Sequence, residues 1–192
     1  SGGDVSAELG ALAHVGQSEF DAGEAAGERM RNAGTTRALC VIHEVGNSAL
    51  DERCRGFAEG LGADNVTNLA VELANPDDAL QRVVSALKAN AQINGVLALG
   101  PVGAQAVLRA LEQHTTPVNF GTFDLSPDVL AAVRDGKMLF AIDQQQYLQG
   151  YLPVVLLTKY NETLALPGGG NIIATGPGFV TGRAAARGID LP

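Results

Sequence analysis

Residues 140–157 read FAIDQQQYLQGYLPVVLL: an apolar run, Met138 to Ile142, passes straight into Asp143 and the consecutive Gln144, Gln145 and Gln146. A short buried strand that ends in carboxamides offers no nucleophile. It does offer groups that both donate and accept hydrogen bonds, as each hydroxyl of a sugar does. The ends of the other strand-like segments have the same character: Gly16-Gln17-Ser18-Glu19, His43-Glu44-Val45-Gly46-Asn47, Glu72-Leu73-Ala74-Asn75, Gly100-Pro101 and Phe123-Asp124. In open parallel sheets ligands bind beyond the carboxyl ends of the strands. The rim so formed is polar and rich in amides and carboxylates, which suits neutral polyhydroxyl compounds. A carboxylate accepting from adjacent hydroxyls, with arginine donating to their lone pairs, holds such a ligand out of water.

Other chemistries find little support. Asp124 with Glu44 is the carboxylate pair that acid–base catalysis could use, but strand ends commonly carry carboxylates. Cys40 falls inside the strand-like RALCVIHEV and Cys54 on the apolar face of the next helix, so neither presents an exposed thiolate. The two could touch; the expectation is two buried free thiols, since cysteine is commonly buried as a small hydrophobe. CxxC spacing is absent and His14, His43 and His114 are scattered, which gives no zinc signature. There is no phosphate loop ending in Lys-Ser/Thr and no GxSxG elbow. PGGGN at 167–171 precedes a strand rather than following one and reads as a linker. No catalytic residue, metal or cofactor is expected.

The elements that must position this rim alternate regularly. ALAHVG (11–16) reads as a strand and EFDAGEAAGERMRNAG as a helix with Phe20, Gly23, Gly27 and Met30 on one face, stopping at Gly34. RALCVIHEV is a strand; the helix after it opens at Ser48 with Asp51 three residues on, a capping-box pattern. NVTNLAVEL is a strand, and Asn75-Pro76-Asp77-Asp78 supplies a cap, a proline at the first helical position and acids in the first turn. NGVLALG, PVNFGTF, KMLFAI and NIIATG are strands, separated by helices at VGAQAVLRALEQ, from Ser126, and over 146–160. Strand–helix alternation with near-continuously apolar strands predicts an α/β fold of parallel sheets covered on both faces.

Bulk composition agrees. The chain has 192 residues, 46% hydrophobic and 18% charged, ample for one or two cores. A net charge of −8 with 13 scattered Lys and Arg argues against nucleic acid as a partner. No apolar run approaches the ~18 residues of a membrane-spanning helix. The first residues, SGGDVS, show neither an initiating Met nor a signal-peptide pattern, so the compartment is not legible from them.

VGQSEFDAGEAAGERM, ALDERCRGFAEGL, INGVLALGPVGAQAVLRAL, FGTFDLSPDVLAAVRDGKMLFAIDQQQYLQGY and ATGPGFVT, in this order across nearly the whole chain, resemble the periplasmic sugar-binding proteins of ABC importers, in particular the ribose-type branch of type I solute-binding proteins. The resemblance implies two lobes joined by three crossings, with the first part of the N-terminal lobe absent. Residues 1–34 and 138–165 would be partial N-terminal lobe, 35–137 the C-terminal lobe, and 166–192 a return to the C-terminal lobe and a tail. It implies a periplasmic protein, not an enzyme, that captures a monosaccharide or sugar alcohol and delivers it to an ABC permease. The incomplete lobe would leave a sheet edge open to self-association. The same fold also serves as the effector-binding half of lac-repressor-type regulators, which is the alternative reading.

The family's ligand roles map onto four positions. Arg53 matches a cleft arginine at a helix start, the alternative being a surface ion pair with Glu52 or Glu59. Asp124 matches a cleft aspartate that accepts sugar hydroxyls, the alternative being a turn or cap before Ser126. Gln144 matches a glutamine next to the hinge, whereas Gln145 and Gln146 read as surface residues at a helix start. Asn75 stands near a ligand-binding position but is equally an N-cap. Gly100-Pro101 stands where a ribose-type site has asparagine, so the resemblance leaves open which pentose, hexose or sugar alcohol is bound.

Overall fold

A computed structural model describes residues 5–72, 74–166, 169 and 171–185, without the side chains of residues 183 and 184. Eight strands and seven helices follow in order: β1 (His14–Gly16), α1 (Glu19–Asn32), β2 (Ala38–Ile42), α2 (Ser48–Leu61), β3 (Val66–Ala70), α3 (Pro76–Ala89), β4 (Gly95–Ala98), α4 (Pro101–Leu111), β5 (Asn119–Phe123), α5 (Pro127–Arg134), β6 (Phe140–Asp143), α6 (Gln146–Thr163), β7 (Ile172–Ala174), β8 (Gly178–Val180) and α7 (Gly182–Ala185). Much of the loop expected over 167–171 lies outside the described residues.

The main sheet has six strands in the order β3-β2-β4-β5-β6-β8. All neighbours run parallel except β8, which pairs antiparallel with β6, Ala141 facing Val180 and Asp143 facing Gly178. The expectation of purely parallel strands is corrected at this edge. GFV is three residues long and follows Pro177, too short a segment for periodicity to mark it as a strand.

Strand alternation sends side chains to two separate cores. On β2, Leu39 and Val41 join the cluster under α3, α4 and α5, while Ala38, Cys40 and Ile42 join the one under α1 and α2. β4 divides likewise, Val96 and Ala98 to one face and Leu97 and Leu99 to the other. This is why the central strands read as continuous apolar runs. The helices start as their caps direct: Ser18, Asn75 and Ser126 accept from Asp21, Asp78 and Val129 backbone N–H groups. At α2 the cap is Asn47, accepting from Ala49 N at 3.0 Å, one residue before the expected Ser48.

β1 and β7 pair with each other as a separate two-stranded parallel sheet beside α6. Two expected boundaries therefore shift. Residues 140–143, expected with the N-terminal remnant, form β6 of the main sheet, and 172–174, expected to return to the larger lobe, pair with β1. α1, also expected in the remnant, packs on the main sheet against α2. Equally apolar short strands do not reveal their partners by sequence.

α1 and α2 approach unusually closely. A Cβ at Gly56 would stand 2.0 Å from Phe20 O, and one at Gly23 would stand 2.2 Å from Arg53 O. These glycines bring the start of α1 against the middle of α2, and that contact sets the geometry of the site.

Candidate functional site

Arg53 lies on α2 one residue before Cys54. Cys54 faces the sheet and forms a disulfide with Cys40 on β2, with a Cα–Cα separation of 5.8 Å. This corrects the expectation of free thiols. Periodicity put each cysteine on a buried face, but it could not show that α2 runs back directly over Cys40. The disulfide pins the middle of α2 to the sheet and aims Arg53 inward.

Arg53 is accordingly buried, 6% exposed, rather than set at a rim. Its Nε donates to Glu19 Oε2 at 2.7 Å, its Nη1 to Leu99 O at 3.2 Å and its Nη2 to Gln144 Oε1 at 3.4 Å. Its guanidinium carbon lies 4.3 Å from the centroid of the Phe123 ring. Neither surface ion pair considered for it is the one observed, and Glu52 pairs with Arg55 instead. Glu19 also accepts from Gln17 Nε2 at 3.2 Å. Burial works to raise the Glu19 pKa, but the Arg53 hydrogen bond and charge help hold the carboxyl below its ordinary value.

Gln144, just past β6, links this ion pair to Asp124, just past β5. Its Nε2 donates to Asp124 Oδ1 at 2.5 Å, and Gln146 Nε2 donates to the same oxygen at 2.7 Å. Among the described contacts Oδ2 takes no hydrogen bond. Asp124 holds a left-handed backbone, φ 64°, which Asp tolerates better than most residues. Burial pushes its pKa up; Gln144 and Arg53 pull against this, and Glu19 and Asp143 reinforce it.

Three chain segments cross between the main sheet and the β1–β7–α6 unit: Gln17–Ser18, Gln144–Gln145 and Thr175–Pro177. They are knotted by side-chain amides. Thr175 Oγ1 donates to Gln144 O at 2.8 Å, Gln149 Nε2 donates to Gln144 O at 2.8 Å and to Thr175 Oγ1 at 3.1 Å, and Gln145 Nε2 donates to Thr175 O. A Cβ at Gly176 would stand 2.7 Å from Gln17 Oε1. The glutamine run thus divides its work. Gln144 serves both the Arg53–Asp124 network and the crossings, Gln145 ties two crossings, and Gln146 supports Asp124. Gln145 and Gln146 are exposed at the start of α6, as expected, and each also makes these hydrogen bonds.

Arg53, Asp124 and Gln144 are brought together. Asn75 is exposed and caps α3 through Asp78 N at 3.2 Å, outside this network. Glu44 is exposed, accepts from Asn47 Nδ2 and makes no hydrogen bond with Asp124, so the catalytic carboxylate pair does not form. Among the described residues no cluster of His, Cys, Asp and Glu could hold a metal ion. Sequence reasoning missed the role of Glu19. It stands in the strand-end GQSE, but only the packing of α1 on α2 reveals that its partner is 34 residues away.

Residues 3–163 match the family model described as periplasmic binding protein domain. The chain is 28% identical over 181 residues to the xylose/arabinose-binding protein of Sulfolobus acidocaldarius, covering 88% of this chain and 44% of that protein. It is 28% identical over 152 residues to the ribose import binding protein of Haemophilus influenzae, covering 77% of this chain and 52% of that protein. It superposes with a TM-score of 0.90 on a carbohydrate transporter from Acidothermus cellulolyticus crystallised with myo-inositol, at 34% identity, over 97% of this chain and 65% of that one. The chain spans about half the length of the curated relatives it matches. With the model matched over most of its length and the fold shared, the chain belongs to the periplasmic binding protein domain family.

Proposed function

We propose that this chain is the sugar-binding part of a solute-binding protein of an ABC importer, which holds a monosaccharide or sugar alcohol for delivery to a membrane permease. The observation that carries this reading is Asp124. Two amides fix its Oδ1, while Oδ2 remains free to accept from a ligand hydroxyl at the carboxyl ends of the strands. Gln144 lies beside it. Arg53 acts through Gln144 as a positioning residue, its Nε, Nη1 and Nη2 each donating to a protein acceptor. Asn75 is assigned to capping.

Relatives that bind pentoses, and the similar structure holding myo-inositol, support a small polyol as ligand. The site makes and breaks no bond. Ligand binding shifts a conformational equilibrium about the three crossings, and the liganded form is the one the permease takes up. The Cys40–Cys54 disulfide supports an oxidising, extracytoplasmic setting and disfavours a cytoplasmic regulator.

α6 also supports a partner. Its 18 residues include none that is buried, and Tyr147, Tyr151, Val154 and Leu157 are all more than half exposed beside a sheet of only two strands. Such a face supports association with a second body, either another copy or further polypeptide of the kind the longer relatives contain. Calorimetric titration with D-xylose, L-arabinose, D-ribose and myo-inositol tests the reading. Saturable binding that Asp124→Asn weakens about tenfold or more is expected, and binding of a polyol unaffected by that change would sink the assignment.

A further inference from the structure

His43 follows β2 directly and lies in the same row of strand ends as Asp124 and Gln144, since β2, β4, β5 and β6 are consecutive neighbours in the sheet. With strands ~4.8 Å apart, the ends of β2 and β5 are separated by roughly 10 Å, and the end of β4 lies between them. That intervening position is Gly100. A Cβ there would stand 3.1 Å from His43 Cε1 and 3.6 Å from Nε2. The imidazole therefore leans across the sheet toward Asp124 and occupies the space a side chain at 100 would need. Gly100 and Pro101 contribute no polar side chain at this point of the row, so the ring is the polar group there.

The ring is also uncommitted. Its Nδ1 is enclosed and has no hydrogen-bond partner among the described residues. A histidine retained for architecture normally has its buried nitrogen satisfied. Burial first, and then the charge of Arg53, hold its pKa below the ordinary value, against the opposing pull of Glu44 and Asp124. Near neutral pH the imidazole is uncharged, with one donor and one acceptor, which is the complement of a hydroxyl group. Glu44 points elsewhere, to Asn47.

We propose that His43 is a ligand-contacting residue that sets specificity, placed over Gly100 to hydrogen-bond a hydroxyl of the polyol that Asp124 and Gln144 hold. The proposal rests on the polyhydroxyl reading of that site, and it adds a residue and a reason for the glycine at 100. With the imidazole at one end of the row and the carboxylate at the other, the site measures the separation of two hydroxyls on the ligand.

The test is imidazole and side-chain-amide NMR of the full chain labelled with 15N in histidine and glutamine, titrated with myo-inositol and, separately, L-arabinose. His43 and Gln144 are assigned from His43→Gln and Gln144→Asn. The expected result is that the His43 ring nitrogens and the Gln144 amide shift together and saturably, while His14 and His114 do not move. His43→Ala should weaken polyol binding about fivefold, the loss of one neutral hydrogen bond, without changing the melting temperature. Movement of the Gln144 amide with a static His43 ring, or an unchanged dissociation constant in His43→Ala, overturns the proposal and leaves the polyol site standing. If neither reporter moves with either ligand, the polyol reading fails and the role of His43 fails with it.

Discussion

Arg53 on α2 meets Glu19 on α1 with Nε 2.7 Å from Oε2, and their side chains are 7% and 6% exposed. A buried pair of this kind gives modest net stability while intact, but removing one member strands the other charge out of water. Arg53→Met should therefore cost about 3–5 kcal/mol in urea unfolding, far more than losing an exposed pair such as Arg82–Asp78. Adding Glu19→Gln to Arg53→Met should recover part of the loss. Equal stability of the single and double variants would mean that the pair is not what Arg53 serves.

The approach of α1 to α2 is itself testable through glycine. Gly56→Ala places a methyl 2.0 Å from Phe20 O, where backbone cannot yield cheaply, so the helices must separate. A loss of about 1–3 kcal/mol is expected, as for overpacked cores, with weaker Arg53–Glu19 contact. Gly103 in α4 is the control, because a Cβ there meets nothing within 4 Å. Gly103→Ala should stabilise by about 0.5–1 kcal/mol through helix propensity and a less flexible unfolded chain. Thermal melts of the two variants, shifted in opposite directions, would confirm that proximity rather than helicity explains Gly56.

Much of this molecule was legible in its sequence because local chemistry decides helices and their starts. Asn75-Pro76 and Ser126-Pro127 sit where capping requires, and the apolar runs of β2, β4 and β5 follow from burial on both faces. Pairings across the fold were not legible. Nothing in RALCVIHEV or ALDERCRGF states that Cys54 stands over Cys40, and nothing in GQSE names Arg53 as a partner. Both depend on where α1 and α2 cross the sheet. Asp124 and Gln144 were singled out through motif resemblance, which carries such distant information, and the structure places them in hydrogen-bond contact. Arg53 was singled out the same way, but its side chain is buried on protein acceptors, as resemblance locates a residue in the chain rather than the direction of its side chain.

The disulfide gives a third expectation. It closes a loop with a sequence separation of 14 between β2 and α2. Chain-entropy arguments put a loop of this length at about 3 kcal/mol. Cys40→Ala with Cys54→Ala, or reduction of the native chain, should lower stability by about that amount, and thiol titration of the unfolded, unreduced chain should find no free thiol. Two reactive thiols under non-reducing conditions would return the cysteines to the role of buried hydrophobes.

Under the proposed reading, Asp124 joins ligand binding to a stability cost. Its folded-state pKa is raised, chiefly by burial, so the folded protein binds its proton more tightly than the unfolded chain does. The cost of the buried charge is fully present above the raised value and is relieved as pH falls through it. Glu19 has the opposite sign: its lowered value contributes stability above its ordinary value of 4.5, lost as pH falls through the depressed one. Asp124→Asn keeps a residue that accepts the left-handed backbone, φ 64°, and removes the charge. It should be at least as stable as the parent at pH 7, with its advantage shrinking in acid. Polyol binding should fall about tenfold or more, the loss expected for a hydrogen bond to a charged group. In the parent, affinity should decline as pH drops from neutral through the raised Asp124 pKa, above the usual carboxylate range near 4. Urea midpoints and binding titrations across that range check both. An affinity flat with pH while Asp124→Asn still weakens binding would mean that the ligand donates no hydroxyl to the carboxylate, and that Asp124 holds the site only through Gln144 and Gln146.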